Sequence, residues 1–347
     1  MSEKGGRAQV EVVVPVYNGL RTLPACVDAV LRQTVAPGKV WVVDNGSTDG
    51  TYEWLVERAR GEPRLRVLRE ARRGQAAARN AALQFVEAPV VAFTDADCVP
   101  EPTWLERLLE AYEDSGVAAA AGAVKGHEAT SVVERYQSVA AFPTPREGAV
   151  VDRYDFPSVV FYTANLSVRT EVLRLLGGFD ERIVPSDDTD LCSRILQAGW
   201  KIAYTAAARV GHRHRARIGV MLKRLYEYGT SRPRLLRKHS PRTCYVLVLG
   251  HQIVWRGAVT AHVNLTSPEK VCLGLAVLSA WEPRIAAGLV AYWAWLAAQL
   301  GRTARARGLE PRSWWELAVW TGLHVAEFFA TNLGGLRGGV GNRVIWL

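Results

Sequence analysis

A chain of 347 residues with 49% hydrophobic and 22% charged side chains is globular rather than disordered, and long enough for one large α/β domain plus an appendage. A formal charge of +9 and a pI near 9.5 point to an anionic partner: nucleotide, nucleic acid or lipid headgroup. Five scattered cysteines, odd in number and without a C-x-x-C pair, argue against a disulfide framework or a structural zinc site and fit a reducing compartment.

Residues 1–9 are polar and lack an apolar core followed by a small-residue cleavage site, so no secretion signal is read. Residues 10–16 form a short apolar strand stopped by Pro15 and the Asn18-Gly19 turn. Leu23, Cys26, Val27, Val30 and Leu31 then recur at helical spacing. A second strand, 39–43, ends at Asp44. Asn45-Gly46-Ser47-Thr48-Asp49 is turn chemistry, with Asp49 expected to cap the next helix. Residues 65–68 are a third strand, 75–86 a helix and 90–94 a fourth strand. This alternation predicts a mostly parallel, doubly wound sheet, in which ligands bind beyond the carboxyl ends of strands.

Asn18, Asp44 and Asp95-Ala96-Asp97 all fall at strand ends, so one cleft could collect them. An Asp-x-Asp held where a sheet meets solvent suits a divalent cation that bridges a diphosphate. Alone it reads equally as a surface loop or a helix cap. Farther on, Thr163-Ala164-Asn165 leads through 169 into a short helix stopped by Gly177-Gly178. Ser186-Asp187-Asp188-Thr189-Asp190 opens a helix that ends at Gly199. A strand follows at 201–204, with His212-Arg213-His214 beyond it.

These stretches together resemble the family-2 glycosyltransferases, sugar-nucleotide-dependent enzymes of GT-A fold. The resemblance rests on residues 12–18, 42–51 and 74–80, on Asp95-Ala96-Asp97, on Asn165 with Gly177-Gly178-Phe179-Asp180, and on Asp187-Asp188 with Asp190-Leu191. It covers roughly residues 9–215 and implies a GT-A nucleotide-sugar-binding domain over 1–217 with a mostly parallel central sheet; the composition over 218–347 reads instead as a basic, Trp-rich, apolar α-helical region. The resemblance also implies that Pro15, Val16 and Asn18 line the nucleotide pocket and that Asp44 accepts a hydrogen bond from the base. Gly74 would let backbone approach the nucleotide, with Arg79 and Asn80 by the ribose and diphosphate. Asp95 and Asp97 would form the D-x-D element, Asp97 as the direct ligand of Mg²⁺ or Mn²⁺, with one of His212 and His214 adding a metal or phosphate contact. Asp188 would be the general base and Asp187, where many relatives carry Glu, its acidic companion. Asn165, Gly177, Gly178 and Asp190 would face the acceptor and sugar.

Each residue also has a plainer reading. Asp44 could only start an Asx turn, Arg79 and Asn80 could be a solvated helix face, and Asn165 a turn residue. Asp187, Asp188 and Asp190 crowd a helix start, where carboxylates favour the dipole and caps.

Beyond Arg217 a basic stretch precedes three apolar segments, 245–263, 271–300 and 314–333, none a clean span. Tryptophans are dense here, as at a membrane–water interface, so docking on an anionic cytoplasmic leaflet is one expectation. A helical subdomain or a dimer interface is the other. Residues 334–339 read as a flexible tail. The expected activity is inverting, metal-dependent sugar transfer from a UDP- or dTDP-linked donor to a saccharide or lipid-linked acceptor, in cell-surface polysaccharide or glycolipid synthesis at the cytoplasmic side of a membrane. Nucleotidyl transfer to sugar phosphates is the alternative enzyme class, although no Gly-rich, Lys-containing loop lies near the N-terminus. Nucleic-acid binding is not expected, for no aromatic-interleaved recognition module accompanies the basic charge.

Overall fold

The computed structural model describes residues 9–143, 145, 148–153, 161–249 and 251–347. The expectation about a secretion signal falls largely on residues 1–8, outside the described residues. The chain divides into two compact units, Met1–His127 with Phe142–Arg213, and Glu128–Ala141 with His214–Leu347.

In chain order the first unit opens with β1 (Val10–Val16), α1 (Leu23–Leu31), β2 (Val40–Asp44), α2 (Thr51–Arg60), β3 (Leu65–Arg69), α3 (Gln75–Leu83) and β4 (Val90–Phe93). It continues through β5 (Cys98–Pro100), α4 (Trp104–Leu109) and β6 (Val117–Gly126). After α5 (Val132–Ala140), which belongs to the second unit, come β7 (Val150–Val151), β8 (Leu166–Arg169), α6 (Thr170–Leu175), α7 (Asp187–Gln197) and β9 (Lys201–His212). The described residues form a nine-stranded sheet in the order β3-β2-β1-β4-β8-β6-β9-β5, with β7 on β9. The strands from β3 to β4 pair parallel, as do β6 and β9, while β8 and β5 run against their neighbours.

Both faces of this sheet are covered. In β1, Val13 packs into one apolar cluster, while Val10, Val12, Val14 and Val16 pack into the other. Burial on both faces is why β1 reads as a continuous apolar run rather than an alternating one. Strand β6 carries four consecutive alanines, and small residues are required there: a Cβ at Gly122 would fall on the Ala208 backbone and within 2.5 Å of Asn165 Nδ2.

Asn165 itself is a core bracket. Its Oδ1 accepts from Trp104 Nε1 at 2.8 Å, and its Nδ2 donates to the Ala123 and Ala208 carbonyls, each at 2.9 Å. It is almost fully buried, so the expected acceptor-side role gives way to a structural one: every polar atom of the amide is already used. Asn165→Ala should destabilise the chain by about 3 kcal/mol, because a buried indole N–H and two buried carbonyls each lose a partner. A urea midpoint unchanged from the parent protein would refute this.

The second unit contains α5 together with α8 (Ile218–His239), β10 (Thr243–Val248), β11 (His251–Arg256), β12 (Ala261–Asn264), α9 (Pro268–Trp281), α10 (Ala286–Ala306), α11 (Trp314–Asn342) and β13 (Ile345–Trp346). It is mainly helical, but segment 245–263 is not: β10, β11 and β12 join β13 in a four-stranded sheet, as its Tyr, Val, Ile and Trp content favours. Nor are residues 334–339 a flexible tail. They lie inside α11, with Gly334, Gly335, Gly338 and Gly339 all buried. A Cβ at Gly334 or Gly338 would fall on the carbonyl oxygen of Tyr226 or Thr230 in α8, so these glycines permit backbone-to-backbone packing of the two helices.

The charges that interrupt segment 314–333 have partners in α5. Glu316 pairs with Arg135 at 2.7 Å, and Tyr136 donates to Glu327 at 2.5 Å with His324 Nδ1 at 3.2 Å from the same hydroxyl. Among the described residues no helix is long and apolar enough to cross a membrane.

Candidate active site

The site builds from the carboxyl ends of neighbouring strands. Val16 and Asp44 are register partners across β1 and β2, and β4 lies on the other side of β1. Pro15 pairs with Val43 in the same ladder. Just past β1 the backbone turns sharply: Asn18 is left-handed at φ 50°, its N–H donates to Ser47 Oγ at 2.9 Å, and its Oδ1 accepts from Thr48 N at 2.8 Å. Asp44 is fully buried. Its carboxylate accepts from Ser47 N at 3.2 Å and from Arg69 Nε at 3.3 Å, and Arg69 in turn stacks over Tyr52. Asp44 thus holds the turn that follows it through the N–H three residues on, and its carboxylate is paired with Arg69.

Asn45, read from sequence only as turn chemistry, is the residue that shapes the next loop. Its Nδ2 donates to the Glu70 and Arg72 carbonyls and its Oδ1 accepts from Gly74 N at 2.8 Å. Gly74 has φ +126°, a conformation that L side chains rarely adopt, and among the described residues the nearest non-neighbouring atom to a Cβ there would be Val184 Cγ2, at 3.9 Å. Glycine is required there for backbone shape rather than for room.

Arg79 is the hub. It is 1% exposed, and its guanidinium forms ion pairs with Asp187 Oδ2 at 2.6 Å and Asp95 Oδ1 at 2.9 Å. It also lies over the Phe179 ring at 5.4 Å. Burial alone would lower its pKa, but Asp187, Asp95 and Asp188 together raise it above the usual arginine value. Each terminal nitrogen donates to one of these carboxylates. Arg79 cross-links the D-x-D element to the acidic pair. Asn80, one residue on, also points inward. Its Nδ2 donates to the Phe179 carbonyl and Glu181, and its Oδ1 accepts from Phe179 N at 2.9 Å.

The loop that Asn80 holds contains Gly177 and Gly178, both left-handed, at φ +76° and +73°. They end α6, with Gly178 N bonded to the Leu173 carbonyl and Gly177 N to that of Arg174. A Cβ at Gly178 would come within 2.7 Å of Asn80 Oδ1. Asp190, fully buried, pairs with Arg194 at 2.8 Å, and Arg194 donates to the Leu176 and Gly178 carbonyls. Asp190, expected to face the acceptor and sugar, and Asn80, expected by the ribose and diphosphate, thus fix the loop from two sides.

The acidic pair opens α7 behind Ser186, a non-glycine residue at φ 90° whose strained backbone sets the direction of the helix start. Asp187 is buried against Arg79. Asp188 keeps some solvent contact and accepts from Thr189 N at 2.7 Å. It is nevertheless packed deeply enough that desolvation, followed by repulsion from Asp187, pushes its carboxyl up to about 7. An acid poised there can change protonation state at working pH, as a general base must.

Asp97 meets His212 at the end of β9, with Oδ1 3.5 Å from Nε2. Cys98 joins them in a cluster whose ligand atoms lie within 4.8 Å of one another. Burial, then the Asp97 and Asp95 charges, push the Cys98 thiol well above its usual range, so it is no thiolate. A carboxylate oxygen and an imidazole nitrogen remain, a donor pair that fits Mn²⁺ better than Mg²⁺, which prefers oxygen throughout. Of the two histidines singled out in the sequence, His212 is the one in this cluster.

Acidic residues gathered at the carboxyl ends of a mostly parallel α/β sheet stand where such sheets bind their ligands. Residues 11–176 match the family model described as glycosyl transferase family 2. The chain is 31% identical over 257 residues to the glycosyltransferase AglE of Haloferax volcanii, covering 69% of this chain and 79% of that one. It is also 31% identical over 251 residues to the pre-mycofactocin glycosyltransferase of Mycobacterium tuberculosis, covering 70% of this chain and 50% of the relative. Among solved structures, the mannosyltransferase PcManGT of Pyrobaculum calidifontis, determined with GDP-Man and Mn²⁺, superposes with a TM-score of 0.57 at 22% identity, over 96% of this chain and 88% of that one. The chain belongs to glycosyl transferase family 2, and its first unit has the GT-A fold.

Proposed function

We propose that this glycosyltransferase is metal-dependent and inverting, and that it moves a sugar from a UDP- or dTDP-linked donor to a hydroxyl on a saccharide or lipid-linked acceptor. Cell-surface polysaccharide or glycolipid synthesis at the cytoplasmic face of a membrane is the setting in which we place it. The observation that carries the reading is the ion-paired chain Asp95–Arg79–Asp187, which ties the D-x-D element to the residue beside Asp188.

Asp188 takes the proton of the acceptor hydroxyl as that oxygen attacks the anomeric carbon and the bond from that carbon to the diphosphate oxygen breaks. The bond formed and the bond broken lie on opposite sides of the carbon, so configuration inverts and no covalent nucleophile is needed. Asp97 and His212 would hold a divalent cation, which when bound neutralises the charge developing on the leaving diphosphate. Arg79 keeps Asp95 and Asp187 at fixed separation, and the Asn18–Ser47–Thr48 turn with Asp44 frames the base-binding end. The alternative of nucleotidyl transfer predicts pyrophosphate release from a nucleoside triphosphate, and family membership weighs against it.

The test is a thermal-shift screen of UDP-, dTDP- and GDP-sugars with and without Mn²⁺. A donor at 100 times its dissociation constant should add about 2.7 kcal/mol to the native state. Asp97→Asn should lose the Mn²⁺-dependent part of that shift. A shift of equal size in the variant would sink the assigned metal site.

A further inference from the structure

Helix α9 is built inside out. Among its residues the buried one is Glu269, which bonds Ser267 and Asn332, while Leu273, Val277, Leu278 and Trp281 face solvent. Consecutive residues Ala276, Val277 and Leu278 are all exposed, so more than a single stripe is presented. Helix α10 repeats the pattern: Leu296, Leu300 and Ala304 near its C-terminal end are buried, whereas Val290 is 70% exposed and Trp295 51%. Trp281, where α9 ends, is 87% exposed. An exposed apolar surface of this extent marks an interaction site.

The charge pattern identifies the occupant. No charged residue occurs from 271 to 281 or from 285 to 301, while Lys270, Arg284, Arg302 and Arg305 stand at the margins. The Arg284 side chain is 94% exposed, with Glu282 3.9 Å away. Helix α9, at 14 residues, is about 21 Å long and falls short of the ~30 Å hydrocarbon core. Charges at Glu282 and Arg284 also oppose placing the hairpin tip at the bilayer centre. An apolar body with tryptophan and cationic residues at its ends instead matches an element lying in the plane of the interface, with its apolar side in the acyl boundary and its arginines among anionic headgroups.

We propose that the α9–α10 hairpin docks this chain in-plane on an anionic lipid bilayer. This rests on the membrane-face reading above and names its element and its lipid chemistry.

Flotation of the full chain with vesicles tests it. The protein should float with phosphatidylcholine vesicles containing about one quarter phosphatidylglycerol, and much less with phosphatidylcholine alone. The double variant Val277→Glu/Trp281→Glu should bind the anionic vesicles about tenfold more weakly, since charges replace apolar contacts at the acyl boundary. Leu175→Glu, on an exposed position of the first unit, should bind as the unmodified chain does. Both altered residues of the double variant are solvent-facing, and an unchanged circular dichroism melt establishes that it folds. Equal flotation of the double variant, or no flotation of the unmodified chain, would overturn the proposal. So would a dimer that the double substitution dissociates while neither chain floats, since the surface would then belong to a second copy. Donor-sugar hydrolysis in vesicle-free buffer reports the catalytic reading separately: turnover without flotation rejects only the hairpin, and flotation without turnover rejects only the transferase chemistry.

Discussion

Replacing Asp188 by asparagine is expected to abolish sugar transfer and, at the same time, to stabilise the ligand-free protein above pH 7. General-base catalysis by a positioned carboxylate contributes about 10²–10⁴-fold, and an amide cannot take a proton. The loss should therefore appear in kcat, with donor binding largely retained. The stability change has the opposite sign because burial and Asp187 raise the Asp188 pKa to about 7, above its unfolded value. Between the unfolded pKa and about 7, the native state keeps a proton that the unfolded chain has released. Native stability therefore falls as pH rises through that window, and the cost stands in full above it. Asparagine resembles the protonated carboxyl and can still accept from Thr189 N, so it escapes the cost. With partial solvent contact discounted, the gain is about 2 kcal/mol at pH 8 and vanishes near pH 4. In the unmodified enzyme, kcat/KM should climb with pH through an apparent pKa near 7. A variant with parental turnover, or a stability difference that is the same at pH 4 and pH 8, would remove Asp188 from the role of base.

What the sequence disclosed follows from where its signals arise. Strands β1, β2 and β4 were legible because burial on both faces writes an unbroken apolar run, and the turn residues at their ends are equally explicit. Strand β6 was silent: its Ala-rich composition carries little strand preference, and the demand for small side chains comes from Asn165 and Ala208 across the sheet. The same holds for polar residues. Asn80, Asn165 and Asp190 have the chemistry of a binding site, and only the fold reveals that their hydrogen bonds are spent on buried backbone and on Arg194. Conversely, Asn45 looked like a bare turn residue yet bonds three positions between 70 and 74. In the second unit, hydropathy found the apolar segments but not their form. Strands β10 to β12 depend on pairing partners, and Gly334 and Gly338 of α11 leave room for the α8 backbone against them, a fact absent from the local sequence.

Arg79 carries the second large prediction. Arg79→Met should destabilise the chain by about 3–5 kcal/mol, because it removes the cation from a buried ion-paired cluster and leaves the Asp95 and Asp187 carboxylates uncompensated. The interaction is bidentate in effect, with one terminal nitrogen to each carboxylate, and a lysine ammonium cannot span both in the same geometry. Arg79→Lys should therefore fold, with a smaller loss of stability, but transfer sugar poorly, since Asp187 and Asp95 are no longer held at one fixed separation. Denaturant midpoints of the two variants, with kcat and KM of the lysine variant, separate support of the fold from support of the site. A residue that only braced the fold would give Arg79→Lys normal turnover per folded molecule. A residue that aligns the acidic pair with the D-x-D element lowers kcat even where the lysine variant is fully folded.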